Sequence, residues 1–151
     1  MDQIDRLIKR EGGSKVVNLK GDSGGVTKYG ISSKNHPDVD VPNLTYEMAR
    51  EIYDKVYLGY SGIYHLPQPL QEQMLDFAVH SGIGTAIKKL QLILNVTPDG
   101  VIGQKTLSAL LTQDMKDICN ALVKTRVLFL LNIDKPQFWR GWIRRAMGFM
   151  V

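Results

Sequence analysis

The sequence predicts an α+β fold that is mainly α-helical, with one small N-terminal β-hairpin or three-stranded ribbon and a helical bundle after it. Three observations predict it. Apolar residues recur at helical spacing along most of the chain. Strand-like alternation is confined to the stretch between Ser14 and Ser33. Turns bearing glycine or proline separate the periodic segments. At 151 residues, with 44% apolar and 23% charged, the chain is long enough for one domain with a sizeable core.

The first helix carries Ile4, Leu7, Ile8 and Glu11 at i, i+3, i+4 and i+7, and Gly12-Gly13 is placed to stop it. Val16, Val17 and Leu19 favour extended structure, Gly21 to Gly25 supplies turns, and Val26 to Ile31 alternates with Thr27, Tyr29 and Ile31 on one face. Thr45 caps a helix that runs to about Gly59 and buries Met48, Ile52 and Val56. Pro67 and Pro69 open a helix with the core stripe Leu70, Met74, Phe77, Ala78 and Ser81, ended by Gly82 and Gly84. A helix with Ile87, Leu90, Gln91 and Leu94 follows, then the turn Thr97-Pro98-Asp99-Gly100 and a short helix with Leu107, Leu110 and Leu111. Asp114 to Ile133 is the longest apolar helix. The last begins at Asp134 and Pro136, with Phe138, Trp139, Trp142, Ile143 and Met147 inward and Arg140, Arg144 and Arg145 outward.

The net charge of +4 and pI near 9.2 imply attraction to polyanions: nucleic acid, an anionic membrane or an acidic wall polymer. Charge alone does not choose among them. The longest uncharged apolar runs, such as Val127 to Ile133, are too short to span a bilayer. Met1 to Arg6 is an acidic amphipathic helix start with no secretory leader pattern. Synthesis in the cytoplasm is therefore expected, and a target outside the membrane would need another route. The single cysteine, Cys119, excludes an internal disulfide and sits among apolar neighbours as a buried thiol. His36, His65 and His80 lack partners at metal-ligand spacing, and Asp38 and Asp40 do not form a calcium loop, so neither a metal nor another cofactor is expected.

Glu11 is the most informative residue. Desolvation on the buried face and the negative end of the helix dipole both disfavour its charged form, which suits a general acid. Asp22 follows in the Gly-rich turn, where it stays ionised. Two carboxylates in contrasting environments suggest glycoside hydrolysis. Taken singly, each has a plainer reading. Glu11 can be an exposed helix-end acid paired with Lys9, Arg10 or Lys15, Asp22 a turn former, and Thr27 a strand residue. Asp76 and His80, at i and i+4, read equally as a solvated or mutually bonded pair and as cleft lining.

Glu11-Gly12-Gly13 followed by Gly21-Asp22-Ser23-Gly24-Gly25-Val26-Thr27-Lys28-Tyr29-Gly30-Ile31-Ser32 resembles the start of the glycoside hydrolase family 108 muramidases, phage endolysins and bacterial relatives that cut peptidoglycan. Asp76-Phe77-Ala78-Val79-His80-Ser81-Gly82 resembles that family's second signature, with His80 where Asn is usual. Leu90-Gln91 through Asp99-Gly100-Val101-Ile102-Gly103 to Thr106-Leu107 looks like its peptidoglycan-binding region, and Phe138 to Arg145 like its closing helix. The resemblance implies a single lysozyme-like unit over residues 1–151, with a catalytic segment at 1–86 and a peptidoglycan-binding-like helical segment at 87–151. It implies cleavage of the β-1,4 bond between N-acetylmuramic acid and N-acetylglucosamine. The order of Glu, Asp and Thr is also similar to the phage-type lysozymes. That similarity implies Glu11 as general acid, Asp22 as electrostatic or base partner and Thr27 as the water-binding hydroxyl. Tyr29, Gly30, Asp76, His80 and Ser81, which lie within the two signatures, would bind the glycan.

The expected partner is therefore the peptidoglycan glycan strand, met by a monomer after holin-type release or other export to the wall or periplasm. Transient contact with an anionic wall or membrane surface is expected from the charge. Two alternatives come from other classes. A non-catalytic peptidoglycan-binding protein would keep Leu90 to Leu111 without an intact acid site, and Glu11, Asp22 and Thr27 argue against it. A helix-turn-helix nucleic-acid binder would read bases with Gln104 and Lys105 beside three leucines, a poor recognition helix, so no nucleic-acid partner is expected.

Overall fold

The computed structural model describes residues 1–18 and 25–151. Those residues form seven α-helices and one three-stranded antiparallel sheet, the mainly helical α+β class expected. They group into two compact units, Met1–Val56 and Tyr57–Val151.

In the first unit, α1 (Gln3–Arg10) opens on a capping box. Asp2 accepts the Asp5 N–H at 2.9 Å, and the Asp5 carboxylate accepts the Asp2 N–H at 3.0 Å. Ile4, Leu7 and Ile8 are buried, as their spacing predicts. Glu11 is the C-cap, and the Gly13 N–H reaches back to the Ile8 carbonyl at 3.0 Å. Gly12 and Gly13 have φ of 93° and 63° with open space where a Cβ would be, so the left-handed backbone is what calls for glycine there.

The sheet runs β1 (Val17–Asn18), β2 (Val26–Lys28), β3 (Ile31–Ser32), with Val17 opposite Thr27 and Lys28 opposite Ile31. The expected strand from Val26 to Ile31 is interrupted. Tyr29 and Gly30 form a two-residue hairpin turn with φ of 53° and 81°, so Tyr29 leaves the strand and Ile31, paired with Lys28, falls on the face opposite Thr27. Positive φ at both central residues matches the twist of the flanking strands.

Thr45 caps α2 (Tyr46–Ile52) by accepting the Met48 N–H at 3.2 Å. Arg50 of α2 pairs with Asp2 at 2.7 Å and with Asp5, which also accepts the Tyr46 hydroxyl. The Arg50 guanidinium holds the Asp2 carboxyl down at about 2. The helix continues as a π-helical stretch, Tyr53–Tyr60. Ala49, Tyr53 and Leu58 are buried, while the expected stripe Met48 and Val56 is exposed and Ile52 only half-buried. The helix is turned by one residue, about 100°, because the large Tyr53 ring takes the inner position.

The second unit holds a 3-10 turn (Ile63–His65) and helices α3 (Leu70–Ser81), α4 (Ile83–Ile93), α5 (Gln104–Leu110), α6 (Met115–Leu131) and α7 (Pro136–Met147). Helix α3 packs on α4 and α6, and α6 packs on α4 and α7. The predicted stripes of α3 and α4 are buried, except that Ser81 is half-buried. Buried Gln91 ties the turn before α5 in place: it donates to Asp99 at 2.7 Å and to the Val101 carbonyl at 2.9 Å, and accepts the Gly100 N–H at 2.8 Å. In α5, Leu110 is buried but Leu111 is exposed, and Thr106 takes the inner place. In α7, Phe138 and Met147 are about half exposed and Arg145 turns inward, against expectation.

Candidate active site

Two side chains, Glu11 and Tyr53, converge on the hairpin tip. Glu11, half-buried at the end of α1, lies against Gly30: a Cβ built on Gly30 would stand 2.6 Å from Glu11 Cγ and 2.5 Å from the Tyr53 hydroxyl. Glycine at position 30 therefore serves both its φ and the close approach of these two side chains. The fully buried Tyr53 donates its hydroxyl to the Tyr29 carbonyl at 2.9 Å. The Tyr29 N–H donates to the Gly13 carbonyl at 3.0 Å, so the tip is tied to the stop of α1 as well. Helix end and hairpin are thereby locked around Glu11.

Thr27 sits half-buried at the centre of the sheet, between Val17 and Ser32. Asp22, with the Gly21 to Gly24 part of its turn, lies outside the described residues. Tyr29 packs edge-on against Tyr46, ring centres 5.9 Å apart, and Lys28 Nζ lies 5.5 Å from the Tyr29 ring centre. A groove of 540 Å³ runs past Ile8, Lys9, Gly13, Ser14, Tyr29 and Tyr46. Tyr29 is thus both a turn residue and a groove wall.

The second signature makes a different kind of site. Asp76 is fully buried. Arg126 donates to one of its oxygens at 2.8 Å, and Arg145 donates to both, at 2.9 and 3.0 Å. The Asp76 carboxylate is thus enclosed, with both of its oxygens taken by arginines. Its charge ties α3 to α6 and α7, and it is the reason Arg145 faces inward. His80 is not bonded to Asp76 directly. Its Nδ1 stands 3.1 Å from Arg126 Nη2, and since a guanidinium can only donate, Nδ1 accepts. Trp142 meets the His80 ring edge-on at 5.5 Å and stacks on Phe138. Burial, then the Arg126 and Arg145 charges, pull the His80 imidazole down to about 4, so it is neutral near pH 7. Ser81, half-buried, ends α3.

Sequence reasoning did not single out Tyr53, Arg126 or Arg145. Tyr53 had a signal: it follows Ala49 by four residues on one helical face. The arginines had none, since they stand 50 and 69 residues from Asp76 in the chain. Among the described residues, no group of three or more His, Cys, Asp or Glu side chains could hold a metal ion, and no helix is long and apolar enough to cross a membrane.

The mainly helical chain with one small antiparallel sheet is a lysozyme-like glycoside hydrolase, with Glu11 at the end of its first helix seated against the hairpin tip. The chain belongs to the glycosyl hydrolase 108 family, whose profile matches residues 4–82. A second profile, described as a predicted peptidoglycan domain, matches residues 85–147. The structure is similar to that of SagA from Brucella abortus, with a TM-score of 0.83 and 33% identity over 97% of this chain and 92% of that one. No curated protein matches the sequence. Together the two profiles make the protein a peptidoglycan hydrolase.

Proposed function

We propose that the protein is an N-acetylmuramidase that hydrolyses the β-1,4 bond between N-acetylmuramic acid and N-acetylglucosamine, with Glu11 as its general acid. The observation that carries this reading is the seating of Glu11 against Gly30 and the hairpin tip, in a chain whose second half matches a peptidoglycan domain. Glu11 gives its proton to the glycosidic oxygen as the bond breaks. Asp22 stabilises the oxocarbenium-like centre or activates the attacking water, and Thr27 holds that water. Tyr29 and Gly30 present the hairpin tip to the glycan.

The test is Glu11→Gln, which removes the acid proton while keeping size and hydrogen-bonding capacity. Release of reducing ends from purified peptidoglycan should fall by on the order of a hundredfold or more. Analysis of the new ends should show N-acetylmuramic acid. A folded Gln variant with unchanged turnover excludes Glu11 as the acid. Peptidoglycan capture with no new reducing ends from the native chain would favour a binding role instead.

A further inference from the structure

The packed helices α6 and α7 each carry an exposed stripe. Lys124, Leu128 and Leu131 project from α6 at i, i+4 and i+7, and Arg140, Arg144 and Met147 from α7 at i, i+4 and i+7. A groove of 270 Å³ lies where Lys124 and Leu128 of the first stripe meet Met147 of the second, lined also by Asn120, Val123, Val127 and Met150. Leu128 is 55% and Met150 52% exposed. These apolar side chains are not on a loose tail. Asn120 clamps the backbone of Val151 twice, donating to its carbonyl and accepting its N–H, both at 3.0 Å, which holds Met150 at the groove. Helix α7 contains no acidic residue.

We propose that this face docks on the surface of an anionic lipid bilayer. An apolar groove walled by methionine, leucine and valine suits acyl chains, while Lys124 in its wall, and exposed Arg140 and Arg144 on the helix that supplies Met147, have the long stems that reach phosphates. The charge alone would fit an anionic wall polymer equally well. Such a polymer gives Leu128, Leu131, Met147 and Met150 nothing apolar to bury, whereas a bilayer satisfies both halves of the face. Contact with the bilayer would hold the hydrolase beside the wall it cuts, and it does not depend on which residue is the acid.

The test is co-sedimentation of the full chain with vesicles of phosphatidylcholine, with and without phosphatidylglycerol. The native protein should pellet with the anionic vesicles and stay soluble with the neutral ones. Lys124→Gln/Arg144→Gln should lower vesicle affinity about tenfold or more. Leu128→Asn/Met150→Ser should lower it comparably, and both should keep the native melting temperature and native cleavage of short glycan fragments. Failure to pellet with anionic vesicles overturns the proposal. So does full binding by the Leu128→Asn/Met150→Ser variant, which would mark a purely electrostatic surface for a polyanion. A concentration-dependent dimer that this variant dissolves, without vesicle binding, would assign the groove to a second copy of the chain and overturn it too.

Discussion

The Tyr53 hydroxyl donates to the Tyr29 carbonyl at 2.9 Å from a fully buried position, and the same oxygen lies against Gly30. One side chain of a neighbouring helix thus sets the hairpin tip, and the tip in turn sets Glu11. Tyr53→Phe keeps the ring and removes that bond, leaving the Tyr29 carbonyl without its donor. It should cost about 1 kcal/mol of stability. If the tip positions the acid, kcat on peptidoglycan should fall about tenfold with KM little changed, because small misplacements of a reacting group are expensive. A loss of stability alone, with kcat intact below the melting range, would leave Tyr53 a core residue and nothing more.

Asp76 is predicted to act through the fold. Asp76→Asn strips the charge from a carboxylate bonded to both Arg126 and Arg145, so that a buried and a part-buried guanidinium each lose an anionic partner. Breaking such a pair from one side costs about 3–5 kcal/mol, and in a chain of this size each of those lowers Tm by roughly 2–4 °C. KM for short glycan fragments, measured well below the transition, should stay near the native value. A large rise in KM without a fall in Tm would return Asp76 to the substrate.

Helix α1 and its stop could be read in the sequence because both signals are local: the spacing of Ile4, Leu7 and Ile8, and two glycines that take positive φ. The stripes of α3 and α4 were legible for the same reason. The hairpin tip was not, since a tyrosine at φ 53° runs against local preference and is held there by Tyr53 and Gly13, which lie outside the strand. The offset of α2 was hidden because Met48-Ile52-Val56 and Ala49-Tyr53 both have helical spacing, and tertiary packing chose between them. Arg145 looked like a solvated cation because its partner is remote in sequence. At the candidate site, Glu11 and Gly30 were legible from the motif, while the tyrosine that connects them was a matter of packing.

His80 gives the protein an acid-sensitive joint between α3, α6 and α7. Its imidazole is held at about 4 in the fold against 6.5 for the free side chain, by burial and by Arg126 and Arg145, with Asp76 opposing them. The lowered value means that the unfolded chain binds the extra proton first. The stability it contributes is present above pH 6.5 and is lost as the pH falls from there toward 4. Tm should therefore decline across that window, with His36, also lowered by burial, adding to the slope. Asp2 and Asp5, lowered by their own hydrogen bonds, act at more acid pH. A His80→Asn variant should show a flatter Tm profile between those limits. An unchanged slope would mean that His80 carries its proton equally in both states.

The carboxylate pair should report its stereochemistry. If Thr27, half-buried on the central strand β2, holds the attacking water as proposed, inversion is favoured over a covalent glycosyl intermediate. Inversion requires room for that water, with the Glu11 and Asp22 carboxyl groups about 6.5–9.5 Å apart, whereas a retaining nucleophile would sit at about 5–5.5 Å. Proton NMR during the first turnovers on a short glycan should show the α-anomer of N-acetylmuramic acid before mutarotation. Thr27→Val, which keeps the shape and removes the hydroxyl, should slow the reaction by about tenfold or more if the water is held there, with substrate binding preserved. First appearance of the β-anomer would rule out inversion, and Asp22 would then be the nucleophile with Glu11 still the acid. A crystal structure with the two carboxyls more than about 12 Å apart lies outside either geometry and would remove Asp22 from the mechanism altogether.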